Sequence, residues 1–226
     1  KYLESIGVAE NVARVADPAF FMEPSRPQKL PPALERGEAV GLGVSGLLAE
    51  RFGDTYLAST LALLKHLCAR KDTAVVIVPH VIGRDRITDD TWVCQELVRR
   101  AGAGAQVASL DPGLNASEIK YCIARCGLFV GSRTHSTIAS FSSGVPTLTI
   151  AYSTKGWGVG REMLGTDAYT LDVRKLTGAS LIATFEALRG DAAKLREQLA
   201  KTVPVVKEQA QRGGDLLAKL VRAKSP

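Results

Sequence analysis

Residues 128–155 read LFVGSRTHSTIASFSSGVPTLTIAYSTK, and the order of apolar and polar runs in this stretch decides the fold. Leu128, Phe129 and Val130 form a short apolar run of the kind a strand buried on both faces shows, and Gly131-Ser132 ends it where a helix must begin. Ser143-Gly144 closes that helix, Val145-Pro146 leads into a second strand, and residues 147–151 alternate and β-branch as a core strand does. Arg133, Thr134 and His135 fall in the first turn of the helix; Tyr152 and Lys155 lie just past the second strand, with Arg161 further along the same loop. A helix N-terminus presents free backbone N–H groups and the positive end of the dipole, so an arginine and a histidine there make a site for a compact anion. A guanidinium suits planar and tetrahedral oxyanions best. Singly, Arg133 reads as a capping residue and Lys155 as a solvated charge. Spaced by one strand-helix-strand unit, the group reads as a site, because an open α/β sheet binds ligands at the carboxyl ends of its strands.

Upstream, residues 39–44 are an apolar strand with glycines at 41, 43 and 46. The spacing is too loose for a dinucleotide fingerprint, and it leaves close packing and phosphate contact open; Ser45 in that turn joins the candidate binding residues. Asp54 or Thr55 caps a helix running to about Arg70, with Leu57, Leu61, Leu64 and Leu67 on one face. Residues 73–78 are a fully apolar strand that Pro79-His80 ends at the ligand edge. The loop that follows carries Arg84 and Arg86, and Asp89-Asp90 open a helix over 91–101. One of that pair is expected to cap the helix and the other to contact a sugar. A strand over 106–110 and a helix entered at Asn115 or Ser117 lead into the opening stretch. After Lys155, the segment GWGVGREMLG is expected to be a mobile loop and a short helix, and residues 168–171 a further strand. From Thr177 the pattern is helical, broken or kinked at Pro204. Strands alternating with helices predict an α/β fold: a Rossmann-like parallel sheet with helices on both faces.

The bulk numbers bound the function. Lysine and arginine exceed the acidic residues by 29 to 23, a formal charge of +6 that fits an anionic small molecule, nucleic acid or a membrane surface. The basic residues are scattered and only six Phe, five Tyr and two Trp are available to stack on bases, which argues against nucleic acid. Cys68, Cys94, Cys122 and Cys126 lie in apolar helical pattern without C-x-x-C spacing and read as buried free thiols, so no metal site is expected. The sequence has neither a continuous apolar membrane span nor the charged and apolar regions of a signal peptide, and a cytoplasmic protein is expected.

The R-x-H motif of Arg133 and His135 at a strand-helix junction, followed by an amphipathic helix, G-V-P, an apolar strand and Y-x-x-K at Tyr152 and Lys155, resembles the polysaccharide pyruvyl transferase family. Asp17-Pro18-Ala19-Phe20, the strand AVGLGVSG, and Pro79-His80 followed by Asp89-Asp90 are similar to further pieces of it. Thr134 stands where the family usually carries an apolar residue. The resemblance implies a transferase that moves the enolpyruvyl group of phosphoenolpyruvate onto sugar hydroxyls of a polysaccharide or its lipid-linked precursor, giving a pyruvate ketal. No cofactor beyond that donor substrate is implied, and a lipid-linked acceptor would bring peripheral membrane association. Arg133, Thr134, His135, Tyr152, Lys155, Arg161, Arg84 and Ser45 would bind substrate; His135 would act as acid or phosphate donor, and His80 or Asp90 as base. The family resembles two-domain GT-B glycosyltransferases, and this chain resembles the carboxyl-terminal half. On that reading residues 1–38 are a lead-in strand and proline-rich inter-domain linker, 39–190 the donor-binding domain and 191–226 a helical tail. An amino-terminal domain would be absent, since the chain starts at Lys1 rather than Met. A GT-B glycosyltransferase using a nucleotide sugar, and a non-catalytic anion-binding domain of the same fold, are the competing readings.

Overall fold

The computed structural model describes residues 2–8, 10, 12–37, 39–70, 72–102 and 106–223. Six apolar runs form one fully parallel sheet: β1 (Val40–Gly43), β2 (Val75–Val78), β3 (Val107–Ser109), β4 (Leu128–Gly131), β5 (Thr147–Ala151) and β6 (Thr170–Asp172). Their spatial order is β3-β2-β1-β4-β5-β6, so the chain winds outward from β1 to one edge, crosses back, and winds outward to the other. The direction reverses between β1 and β4, which opens a crevice beyond the carboxyl ends of those two strands.

The helices are α1 (Tyr2–Ser5), α2 (Pro32–Arg36), α3 (Gly46–Cys68), α4 (Thr91–Ala101), α5 (Ala116–Ala124), α6 (Thr134–Ser142), α7 (Thr154–Leu164), α8 (Gly178–Gly190) and α9 (Ala192–Ala223). Every residue of β1, β2, β4 and β5 is buried, because helices cover both faces of the sheet. Val75 and Ile77 face one layer with Leu63, Leu64 and Leu67 of α3 and Val93 and Leu97 of α4. The intervening Val76 and Val78 face the other layer, with Phe129 of β4 and Ile119, Cys122 and Ile123 of α5. This is the two-residue alternation of a pleated strand read on both sides.

Four local expectations are corrected. The lead-in strand, expected over Asn11 to Val15, does not form over residues 12–15, where Val12 and Val15 are exposed, and Asn11 lies outside the described residues. The first long helix begins at Gly46, nine residues ahead of Thr55, with the Ser45 hydroxyl accepting from the Leu48 N–H at 3.3 Å. A kink at Gly53, with φ 46° and ψ −125°, interrupts it and makes its second half look self-standing in the sequence. The glycine-rich segment after Lys155 is helix α7 rather than a loop. Gly156 and Gly160 recur one turn apart against the sheet, where a Cβ would stand 3.1 Å from that of Ala151 and 2.7 Å from the Thr170 hydroxyl. The glycines let this helix lie close on β5 and β6. Finally, α9 runs through Pro204, and the break falls at Gly190-Asp191 instead. Leu199, Val206 and Ala210 are buried on both sides of the proline, so packing holds the axis across the missing hydrogen bond.

The proline-rich lead-in is laid along the sheet unit. Asp17 caps a 3-10 turn over Pro18–Phe21 whose Phe20 is buried in the larger core layer, and Leu34 of α2 is buried in the other. Arg125 at the end of α5 donates to the carbonyls of Leu34 and Glu35, at 3.1 and 2.6 Å, and so holds α2 in place. Among the described residues no helix is long and apolar enough to cross a membrane.

Candidate functional site

The centre of the crevice is a buried carboxylate. Asp90, with no solvent-exposed surface, accepts from the Gly46 N–H at 2.7 Å, from the His80 and Val81 N–H groups at 3.1 and 2.9 Å, and from Arg133 Nη2 at 2.6 Å. Arg133 Nε lies 3.3 and 3.4 Å from the two Asp90 oxygens, and Nη2 also donates to the Ile87 carbonyl at 3.2 Å. A buried carboxylate persists only when its oxygens are satisfied, and both Asp90 oxygens accept from backbone N–H groups as well as from Arg133. Asp90 therefore ties the β1–α3 turn, the chain after β2 and the β4–α6 turn together. The expected roles change accordingly. Asp90 is an anchor with no free lone pair aimed outward, and Arg133 is already neutralised within the protein. Asp89, not Asp90, takes the Thr91 N–H at the start of α4.

This arrangement also settles the glycine-rich turn. Gly46 opens α3, yet a Cβ there would collide with the carbonyls of Arg86 and Asp89, so the loop after β2 crosses directly over it. The Asp90 carboxylate occupies the amide that a ligand phosphate would take. Ser45 is fully buried and caps the helix rather than facing a ligand. Its N–H donates to the Tyr56 hydroxyl at 3.0 Å, which donates in turn to Ser132 Oγ at 2.8 Å. Tyr56 thus bridges the two turns flanking the switch point, and burial raises its phenol well above the usual value. Nothing in the helical pattern marks it, beyond the rule that a buried phenol seeks a partner.

The open part of the site is formed by the next two helix starts. The helices α6 and α7 both begin at the carboxyl edge, and neither has a side-chain cap on its first amides. Thr134 and His135 are the first residues of α6, and Thr154 and Lys155 those of α7. The side chains of His135 and Lys155 are 56% and 54% exposed, and both reach one oxygen: Asp17 Oδ2 lies 3.5 Å from His135 Nε2 and 3.3 Å from Lys155 Nζ. The other Asp17 oxygen accepts from the Ala19 N–H at 3.0 Å. Tyr152 is half-buried beside them, lining a small hollow with Ser132, Arg133 and Thr134. Asp17 was not among the candidate residues, although the D-P-A-F turn that carries it is visible in the sequence. Its partners lie 118 and 138 residues away, and no local pattern names them.

Partial burial works against the Asp17 charge, but the Ala19 N–H, Lys155 and His135 together outweigh it and hold the carboxyl below its usual 3.8. A carboxyl depressed in the folded state contributes stability that is fully present above its unfolded value and is lost as pH falls through the lower folded value. The clasp between the lead-in and the two helix starts is therefore expected to hold at neutral pH and to release only below about 3.8. A carboxyl-carbon NMR titration reads this directly, and an Asp17 midpoint above its usual value would contradict it. His80 sits at the end of β2 with its N–H on Asp90. Its Nδ1 is buried without a hydrogen-bond partner among the described residues. Burial, joined by the charges of His135 and Arg133 and opposed by Asp90, pushes its imidazole down to about 4, so it is neutral at pH 7.

The other expected cations do not converge here. Arg84 is exposed in the loop after β2 with no polar partner among the described residues. Arg86 pairs with Glu50 at 2.5 Å and lies 3.7 Å over the Trp92 ring. Arg161 falls in the last turn of α7, away from the sheet edge, and pairs with Asp167. Among the described residues no group of three His, Cys, Asp or Glu side chains is set to hold a metal.

The chain is 33% identical to the amylovoran biosynthesis protein AmsJ of Erwinia amylovora over 89 residues, 39% of this chain and 21% of that protein. A Listeria monocytogenes protein described as a UDP-N-acetylglucosamine 2-epimerase superposes with a TM-score of 0.63 at 14% identity, covering 92% of this chain and 52% of that one. An E. coli trehalose-6-phosphate structure bound with UDP-2-fluoro glucose gives 0.60 at 10% identity, covering 91% and 50%. At those identities the likeness shows the fold alone. The chain spans about a fifth of the length of AmsJ and about half of each solved chain. The family model for polysaccharide pyruvyl transferase matches residues 1–154, which hold Asp17, His80, Asp90, Arg133 and His135, with Lys155 one residue beyond. The chain belongs to the polysaccharide pyruvyl transferase family.

Proposed function

We propose that the paired starts of α6 and α7 bind phosphoenolpyruvate and that the protein transfers its pyruvyl group to hydroxyls of a saccharide. The observation that carries this reading is the convergence of His135 and Lys155 on one carboxylate oxygen of Asp17, at 3.5 and 3.3 Å, above two helix N-termini without side-chain caps. An oxyanion of the donor that displaces or joins Asp17 meets the Lys155 ammonium, the His135 imidazole and uncapped amide N–H groups at once. Lys155 serves as a point charge for phosphate or carboxylate.

In the reaction a proton is added to the methylene carbon, C2 gains oxocarbenium character, and a sugar hydroxyl adds there and loses its proton. Phosphate leaves as the C2–O bond breaks, and a second hydroxyl closes the ketal. One hydroxyl proton ends on the new methyl group and the other on phosphate, so the balance needs no redox partner. His135, exposed and beside an anion, is the proton donor in this scheme. His80, its imidazole pushed down to about 4, is a weak proton acceptor.

Thermal unfolding with phosphoenolpyruvate, UDP and inorganic phosphate tests the reading. A ligand at 100 times its Kd stabilises by about 2.7 kcal/mol. Phosphoenolpyruvate is expected to stabilise the protein beyond phosphate, and the difference to vanish in Lys155→Ala. A larger response to UDP would replace the reading with a nucleotide-sugar glycosyltransferase.

A further inference from the structure

A cavity lies away from that crevice, at the opposite, amino edge of the sheet. It holds about 500 Å³ and is lined by Arg70, Arg189 and Arg196, by Asp72 and Thr73, and by the residues that open β1, β4 and α9. That volume is of small-molecule size. We infer that this cavity is a second binding site, for a small phosphate-bearing anion, distinct from the crevice of the proposed reaction.

The argument is a shortage of internal acceptors. Arg189, in the last turn of α8, lies with its guanidinium 5.0 Å over the Phe185 ring and with Nη1 3.4 Å from Glu186 Oε2. That contact is out of alignment, and the buried Nη1 has no hydrogen-bond acceptor among the described residues. Glu186 is itself shared with His66 at 2.7 Å. Arg70 has only a loose approach to Asp72, 3.8 Å from Nε to Oδ1. Arg196 gives one bond to the Gly127 carbonyl at 2.8 Å, out of five available N–H donors. Among the described residues, three guanidinium groups thus share one cavity with one carboxylate, Asp72, in its lining.

Guanidinium groups gathered in this way repel one another unless an oxyanion sits between them, and their forked donors match a phosphoryl group. Burial, with the nearby Arg70, weighs against the charge on Arg189 and outweighs the support of Glu186 and Asp72. The carbonyl end of α8 accounts for one cation at Arg189, but not for Arg70 and Arg196 beside it. The start of α9 at Ala192 adds the positive end of a 32-residue helix.

An NMR titration of the whole chain with inorganic pyrophosphate, reading the Nε–H signals of Arg70, Arg189 and Arg196 and the Gly127 amide, tests the inference. Saturable shifts at these positions are expected in the wild type and equally in Lys155→Ala, which disables the crevice. A charged hydrogen bond contributes roughly 1.5–3 kcal/mol, so Arg189→Met should weaken this binding about tenfold or more and leave the shifts of His135 unchanged. Arg196→Gln, on an exposed side chain, repeats the test should Arg189→Met fold poorly. Shifts confined to His135 and Lys155, or an equal response to sulfate at matched ionic strength, would overturn the inference. Because Lys155→Ala separates the two sites, loss of the crevice reading leaves this result standing, and the reverse.

Discussion

Replacing Asp90 by alanine is expected to lower the unfolding free energy by about 3–5 kcal/mol, the usual cost of removing one partner from a buried ion pair. The loss comes from both sides of the contact. Arg133, whose side chain is only 13% exposed, would keep its charge without a counter-ion, and the N–H groups of Gly46, His80 and Val81 would lose their acceptor. Asp90→Asn should cost less, because an amide oxygen still accepts from the backbone, but it leaves Arg133 uncompensated. Adding Arg133→Met to Asp90→Ala should recover part of the loss, since the charge that made the vacancy expensive is then gone. Denaturant unfolding of the wild type, Asp90→Ala, Arg133→Met and the double variant closes the cycle. A cost under about 1 kcal/mol for Asp90→Ala would place the pair with ordinary exposed salt bridges and undo its role as the anchor of the crevice.

His135→Asn should have the largest effect on turnover, a fall of roughly 10²- to 10⁴-fold in the proposed reaction. Asparagine retains a hydrogen-bonding group near Asp17 but has no titratable proton to transfer. The side chain is more than half exposed, so the unfolding free energy should stay within ordinary surface variation, about 0.5 kcal/mol. Stability and activity thus move independently at this position, whereas at Asp90 they fall together. Steady-state kinetics beside a thermal melt reads the difference. Turnover near the wild-type rate with a raised KM would make His135 a binding group and send the search for the proton donor elsewhere.

The crevice was partly legible before any coordinates. The β4–α6–β5 unit is written in consecutive residues, with an apolar run, a Gly-Ser turn, a helix closed by Ser-Gly and a β-branched run, and it delivers His135 and Lys155 to one edge by topology alone. Arg133 misled for a physical reason. A basic residue at a helix start is the same in sequence whether it faces solvent or a buried carboxylate, and its partner Asp90, 43 residues away, looks like an ordinary helix cap. Arg84, Arg86 and Arg161 were drawn into the site by proximity along the chain. Their side chains instead stay in solvent or pair with Glu50 and Asp167.

The sequence by itself determined the alternation of strand and helix, the parallel sheet, the positions of most elements and the family, because period, turn residues and motif spacing are local properties of the chain. Only the tertiary structure decided which charges are free. Asp90 closes the α3 start from inside, Asp17 crosses from the lead-in to clasp His135 and Lys155, and three arginines, from the turn after α3 and from α8 and α9, meet at the far edge. Whether a charge is neutralised depends on groups brought near it across long loops and on the water excluded there, and neither is encoded in its neighbours along the chain.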